Sequence, residues 1–368
     1  MKISIDAGLT GSAKVFMYKS LKLNWRAVME IRLEKYISYP IGLIVALSIF
    51  SVILLAMGFN PILSLEALVY GSFGTVFSAT EIFVRVTPLL LSALAFLIAF
   101  KARFVNIGVE GQLYMGALCA YLVASQMEGL PSVLSIPLIV LASFVGGVAW
   151  LAIPLVLKVK LEINEIFTTV VMNFIATFVI SWLVTGPIKD PMSLNPETRS
   201  IPTATYLPLM IPDTRLHVGL IFAFFLASLM YLILQRTVLG YDIRAVGLSP
   251  RAAKHGGIDF SRNIIIVGIL SGGLAGLAGM VEVAGAHHRL IQGFSPGFGY
   301  QGIAIAALGR FNPIGVVFAS IFFSVLLIGG ESMQRGTGVP IDMTYILQAV
   351  LVLSVLIVQE FLTVRKQK

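Results

Sequence analysis

The stretch that decides the fold is residues 87–124, "TPLLLSALAFLIAFKARFVNIGVEGQLYMGALCAYLVA". Two apolar runs enclose a polar centre. In that centre, "NIGVEGQ" (106–112) sets one carboxylate, Glu110, between two amides, Asn106 and Gln112, with glycines at 108 and 111. The outer runs each approach the length of about 20 apolar residues that a membrane span needs.

The rest of the chain repeats the apolar half of this pattern. Of its 368 residues, 57% are hydrophobic and 12% charged. A soluble domain carries about 25% charged residues, so this chain cannot cover a globule with ions. It is expected to be an all-α polytopic membrane protein. Apolar runs lie near 38–58, 82–100, 107–126, 133–157, 163–185, 216–235, 263–285, 312–331 and 341–363. A tenth, near 299–309, is too short to cross alone and suggests a broken or re-entrant helix.

Charge sets the orientation. With the N-terminus inside and ten crossings, twenty of the 26 Lys and Arg fall on inner segments and five on outer ones. This asymmetry places both termini in the cytoplasm. It also absorbs most of the net charge of +8, which therefore gives no argument for nucleic acid. Residues 1–36 form a basic, amphipathic segment expected to lie on the inner membrane surface, not a cleaved signal. The membrane-spanning body would run over 37–364, with a basic tail at 365–368. Cys119 is the only cysteine, so neither an internal disulfide nor a cysteine-based metal cluster can form.

Two connections are long. The outer segment 186–215 is rich in proline and lacks a helical period; it is a structured cap, a docking surface or a linker. The inner segment 236–262 contains "GLSPRAAKHGGID". There Ser249 suits an N-cap and Pro250 the first helical position. Arg251, Ala252, Ala253 and Lys254 continue the helix, and Gly256 and Gly257 stop it. This short cytosolic helix either lies on anionic lipid or fits a socket on another protein. No phosphate-binding G-x-x-x-x-G-K-[ST] motif occurs, so any ATPase must be a separate subunit.

Gly268, Gly272, Gly276 and Gly279 follow one helix face and allow close helix packing. Glu282 continues that face, where a charge is expensive unless it meets an interface or a cavity. The stretch 287–315, "HHRLIQGFSPGFGYQGIAIAALGRFNPIG", then repeats the opening theme of glycines, an amide and an apolar run. Two interrupted polar elements, one per half, point to a midplane substrate site. Phe294, Phe298 and Tyr300 could stack on a planar ligand or simply pack. His287 and His288 are adjacent and so do not suggest a metal site.

The motifs "NIGVEGQLYMGA", "GYDIRAVGLSPRAAKHGGI" and "GFGYQGIAIAALGRFNPIG" resemble the permease subunits of bacterial ABC importers for sugars, branched-chain amino acids and nucleosides. The likeness is greatest to nucleoside or simple-sugar permeases that work with a basic-membrane-protein-type lipoprotein. It covers nearly all the chain from about residue 40. It implies about ten helices, some broken, in the bacterial plasma membrane. It implies three partners: a second permease, often a different but related chain; an ABC ATPase that binds ATP and Mg; and an extracytoplasmic binding lipoprotein. No cofactor is expected in this chain, which would be a transport subunit and not an enzyme. The coupling segment carries over onto Gly240–Ile258, and the glycine-rich polar segment onto Asn106–Gln112. The sequence departs from the family pattern at Arg103, where a small residue is expected, at Val105, and at His255-Gly256.

The expected function is nucleoside import by alternating access. Asn106, Glu110, Gln112, Asn173, Phe298, Tyr300 and Gln301 supply the amides, carboxylate and aromatic faces that a nucleoside needs. Alternatives are a pentose or hexose permease of the same architecture, or an ATP-independent secondary carrier using Glu110 and Glu282. A plainer reading of Glu110 also stands: it caps backbone amides at a helix start or pairs with Arg103.

Overall fold

The computed structural model describes residues 37–364; the basic segment 1–36 and the tail 365–368 lie outside the described residues. Among the described residues the chain is helical, and extended chain is limited to two isolated bridges. It divides into two compact units. The smaller takes residues 37–61 and 345–364, and the larger covers Ile62–Thr344. In the smaller, α1 (Ile37–Ala56) meets α13 (Asp342–Val364). There Gly42 lies so near Val355 that a Cβ would come within 2.6 Å of its Cγ2.

The larger unit begins with a short helix, α2 (Pro61–Phe73), and then α3 (Val76–Lys101). Next come α4 (Val109–Ala124), α5 (Ser132–Leu161), α6 (Glu165–Thr185) and α7 (Gly219–Arg236). Two short helices follow, α8 (Val238–Leu248) and α9 (Pro250–His255). The unit continues with α10 (Phe260–Val281), α11 (Phe298–Leu308) and α12 (Pro313–Thr337).

Polar residues start these helices as helix chemistry requires. Thr75, Asn164, Thr237, Ser249, Asp259 and Asn312 each accept a backbone N–H from the first turn that follows. Each satisfies one of the orphan donors of a helix N-terminus and stabilises it by about 0.5–2 kcal/mol. The end of α3 is less ordinary. Arg103 N–H donates to Phe100 O, and Phe104 N–H to Ala99 O, closing the helix. Arg103 itself takes φ +58°, the left-handed position usually given to glycine.

α3 is the core of the unit. It is buried almost without a break from Val86 to Ala99 and packs on α7, α10, α11 and α12. Beside it, α4, α5 and α10 form a seam of glycines. A Cβ at Gly276 would strike the Ser143 carbonyl, one at Gly279 the Leu113 carbonyl, and one at Gly147 the Gly272 carbonyl. Gly272 faces the same α5 backbone, at Gly147 and Val148, whereas Gly268 meets only the side chain of Leu155. Backbone therefore rests directly on backbone here, as small residues permit.

Among the described residues eight helices are long and apolar enough to cross a membrane: α1, α3, α5, α6, α7, α10, α12 and α13. The protein is an all-α polytopic membrane protein. The other two expected spans are the short helices α4 and α11, with 16 and 11 residues. At 1.5 Å per residue these reach about 24 and 17 Å, against a hydrocarbon core of about 30 Å. Two further helices were not foreseen. α2 has only 13 residues and interrupts its apolar face with Glu66 and Gly71. α8 lies in the segment 236–262, where its charges hid an amphipathic turn that buries Gly240, Ile243 and Val246.

Past Val281 the α10 helix widens into a π-helical turn, Glu282–His287. The segment 186–215 is laid against this turn. Leu207 N–H donates to Ala284 O, Ile201 N–H to His288 O and Thr198 N–H to Leu290 O, all within 3.0 Å. Arg289 adds an ion pair to Glu197 at 2.8 Å.

Candidate functional site where two helix starts meet

The polar stretch 106–112 occupies the turn into α4, and the second polar stretch the turn into α11. The structure brings the two together. Glu110 Oε2 accepts the backbone N–H of Gly299 at 2.6 Å. Glu110 stands in the first turn of α4 and Gly299 in the first turn of α11. Each helix start carries about half a positive charge from its aligned peptides, so two starts facing each other repel. A carboxylate between them turns the repulsion into attraction. The fit is close: a Cβ on Gly299 would strike the backbone nitrogen of Glu110. Ser295 also reaches the Glu110 carboxylate, and its Oγ accepts N–H groups from Gly297 and Phe298.

The amides beside Glu110 form a second, dry cluster. Asn106 and Gln112 hydrogen-bond through both ends of their amides, at 3.0 and 2.9 Å. Asn106 Nδ2 also donates to Ser271 Oγ at 2.9 Å, and Ser271 donates to Ala95 O at 2.7 Å. Asn106 Oδ1 further accepts the Gly108 N–H. Four polar groups, from α3, α4, α10 and the turn before α4, are thus tied together where none meets water, which rigidifies the site.

Asn173, from α6, joins the two halves. Its Oδ1 accepts the Gly111 N–H at 2.8 Å, and its Nδ2 donates to Ile107 O at 2.9 Å and Tyr300 Oη at 3.1 Å. Tyr300 is the open member of the group, with 44% of its surface exposed. Gln301 is buried; its Nε2 donates to Pro296 O at 3.2 Å, and its Oε1 has no partner. Phe298 is wholly buried, with the Arg85 guanidinium 5.9 Å from its ring centre. Phe294 is buried edge-on to Tyr114 at 4.8 Å.

Asn106, Glu110, Gln112, Asn173, Phe298, Tyr300 and Gln301 therefore gather at one junction. Glu110 takes Gly299 as its partner and not Arg103, which is exposed. Sequence reasoning missed Ser271 and Ser295. Ser271 sits beside the packing glycines and reads there as one more small residue. Ser295 lies in a loop whose partner is 185 positions distant.

Glu282 is also buried, its Oε2 3.2 Å from His287 Nε2. His217 packs against Gly285 of the same turn, and its Nδ1 accepts the Gly219 N–H at 3.1 Å. Burial pushes the His217 imidazole down to about 4, partly countered by Glu282 and reinforced by His288. Among the described residues no group of three His, Cys, Asp or Glu is placed to hold a metal.

In the 236–262 segment, Ser249 Oγ accepts the Ala252 N–H at 3.3 Å, and Pro250 opens α9. The left-handed stop falls on Gly257, at φ +83°, and not on Gly256. Arg251, Ala252 and Lys254 are exposed, while Ala253 is buried. α8 is seated on the end of α3: a Cβ at Gly247 would strike the Lys101 carbonyl.

The family pattern described as "Branched-chain amino acid transport system / permease component" matches residues 78–356. The chain belongs to this permease family. The permease is 34% identical over 329 residues to a glucose ABC transporter permease protein of Haloferax volcanii, covering 86% of this chain and 85% of the relative. It is 31% identical to a guanosine ABC transporter permease protein of Bacillus subtilis, covering 88% and 94%. It is 32% identical to a nucleoside ABC transporter permease protein of Lactococcus lactis, covering 82% and 85%. The permease is thus a transport component of the ABC class. Its matched region contains both helix starts, Asn173 and the α8–α9 segment.

Proposed function

We propose that the permease forms half of the path of an ATP-driven nucleoside importer in the bacterial plasma membrane. Two short helices whose starts meet at Glu110 and Gly299 carry this reading. Interrupted helices that end inside the membrane are where transporters place substrate. In this arrangement Glu110, Asn106, Gln112 and Asn173 hold the junction, since each is bonded within the protein. Tyr300 offers an aromatic face, and the buried Gln301 Oε1 has no partner within the described residues, so it is an acceptor that a ligand's N–H or O–H would fill if the junction opens. A nucleoside has both a planar base and such donors.

ATP and Mg would be bound by a separate ATPase, which pushes on α9. A second permease, identical or related, and an extracytoplasmic lipoprotein complete the assembly. Membership of an ABC permease family supports this coupling over an ATP-independent carrier. The Bacillus and Lactococcus relatives favour a nucleoside. The Haloferax relative supports a second reading, a pentose or hexose.

Uptake of labelled guanosine or adenosine in cells holding the whole operon tests the proposal. Deleting this chain should abolish uptake, and free ribose in excess should not compete. Uptake that persists without the chain would overturn the proposal; ribose competing as well as the nucleoside would move the assignment to sugars.

A further inference from the structure

Met192 and Leu194 are 93% and 99% exposed, the two most exposed large apolar side chains among the described residues. They share one tip of the 186–215 segment. Single exposed hydrophobics are common, but two at full exposure on a built tip need an occupant. The tip is built: Asp190 Oδ1 accepts the Met192 N–H at 3.0 Å, and Ser193 Oγ donates to Glu197 Oε1 at 2.7 Å. Asp190 N–H closes the tip onto Glu197 O at 2.8 Å.

The tip is also held at a definite height. α6 exposes Phe167, Val171, Phe174, Phe178 and Trp182. Their spacing of four, three, four and four draws one lipid-facing stripe along a membrane span. Trp182, near its end, marks the headgroup level, where such rings collect. The chain then turns back: Ile188 N–H donates to Leu183 O at 3.1 Å. Gln292 bonds Ser181, the neighbour of Trp182, and its N–H donates to Pro196 O at 3.0 Å, which ties the tip's far side to the same level. Lys189 and Arg199 flank the apolar pair; Arg199 Nε lies 4.0 Å from Asp190 Oδ1, and the rest of its side chain is largely exposed.

We propose that Met192 and Leu194 form an interfacial anchor that dips into the membrane leaflet beside α6, with Lys189 and Arg199 meeting lipid phosphates. The anchor would fix the 186–215 segment, and through it the Glu282–His287 turn, against the bilayer. Apolar side chains inserted at headgroup depth beside basic residues are the usual composition of such contacts.

The test uses the assembled transporter in vesicles of phosphatidylethanolamine and phosphatidylglycerol. Leu194→Cys and the reference variant Pro212→Cys, at an exposed residue near the other end of the 186–215 segment, carry an environment-sensitive fluorophore, and the parent protein, with its half-buried Cys119, serves as the labelling blank. At position 194 the emission should shift to the blue. Quenching there by shallow nitroxide lipids should be at least twofold stronger than at 212, and quenching by aqueous iodide at least twofold weaker. Equal iodide quenching at both positions with no lipid quenching at 194 would overturn the proposal. So would protection of 194 that appears only after the binding lipoprotein is added, which would make the tip a protein-docking site.

Discussion

The carboxylate of Glu110 and the backbone N–H of Gly299 lie 2.6 Å apart, joining two helix starts separated by 189 residues. Replacing Glu110 by Ala leaves two positive helix ends facing each other with a buried N–H unsatisfied. The permease should lose roughly 1–3 kcal/mol of stability, as for other buried groups left unpaired. Glu110→Gln keeps an acceptor and should lose less. Thermal unfolding of the detergent-solubilised variants gives the comparison. Equal stability of wild type and Glu110→Ala would remove the carboxylate from its role as a bridge.

The glycine seam predicts an unequal series. Gly276→Ala and Gly279→Ala each drive a methyl into a backbone carbonyl of the neighbouring helix. Backbone cannot step aside as a side chain can, so each should cost about 1–3 kcal/mol or more. Gly268→Ala meets only the movable end of Leu155 and should be tolerated. Purified yield and melting temperature of the three variants would show the ranking, and a uniform response would contradict it.

Arg103 predicts a gain. It is exposed and sits in a left-handed conformation that costs a non-glycine residue about 1–2 kcal/mol. Arg103→Gly should therefore raise stability by about 1 kcal/mol, seen as a higher melting temperature. A lower one would mean that the guanidinium holds something that outweighs the strain.

His217 predicts a pH dependence. Its imidazole titrates near 4 in the folded protein because burial disfavours the charged form, against 6.5 ordinarily. Between those values the unfolded chain binds the proton and the folded one does not. Stability from this residue is thus full above about pH 6.5 and is lost as the pH falls toward 4. His288, also lowered by burial, adds in the same direction. Unfolding measured from pH 7.5 to 4.5 should show a shallower slope in His217→Gln than in wild type. Identical slopes would assign the dependence to other groups.

α9 predicts a separation of coupling from folding. Ala252 is exposed and Ala253 buried, so Ala252→Asp is the cleaner probe. It should abolish ATP-coupled uptake while membrane insertion and melting temperature stay unchanged. Normal uptake would show that the ATPase does not press on this face.

Much of this architecture was legible in the chain. Apolar length found the eight long spans among the described residues and the short helices α4 and α11, because hydrocarbon leaves the backbone few options. The Ser249-Pro250 start of α9 was readable because capping is local. What could not be read was partnership. Nothing near Glu110 announces that its acceptor role is filled by Gly299, because the pairing depends on how α4 and α11 dock. Ser271 was hidden for the same reason: a serine among glycines looks like packing until Asn106 is seen to reach it. α2 escaped because thirteen residues with a glutamate resemble a loop by composition, and α8 because its buried face is only three residues wide.

The glycine seam has a consequence for motion. Where backbone touches backbone, no side chain remains that could change rotamer and let one helix slide on the next. α4, α5 and α10 therefore travel together or stay still. Glu110 adds α11 to this block, and Asn106 with Ser271 binds α3 to it. Any opening in the permease has to run around the edge of a single solid piece, and the hinges belong to the turns that leave it.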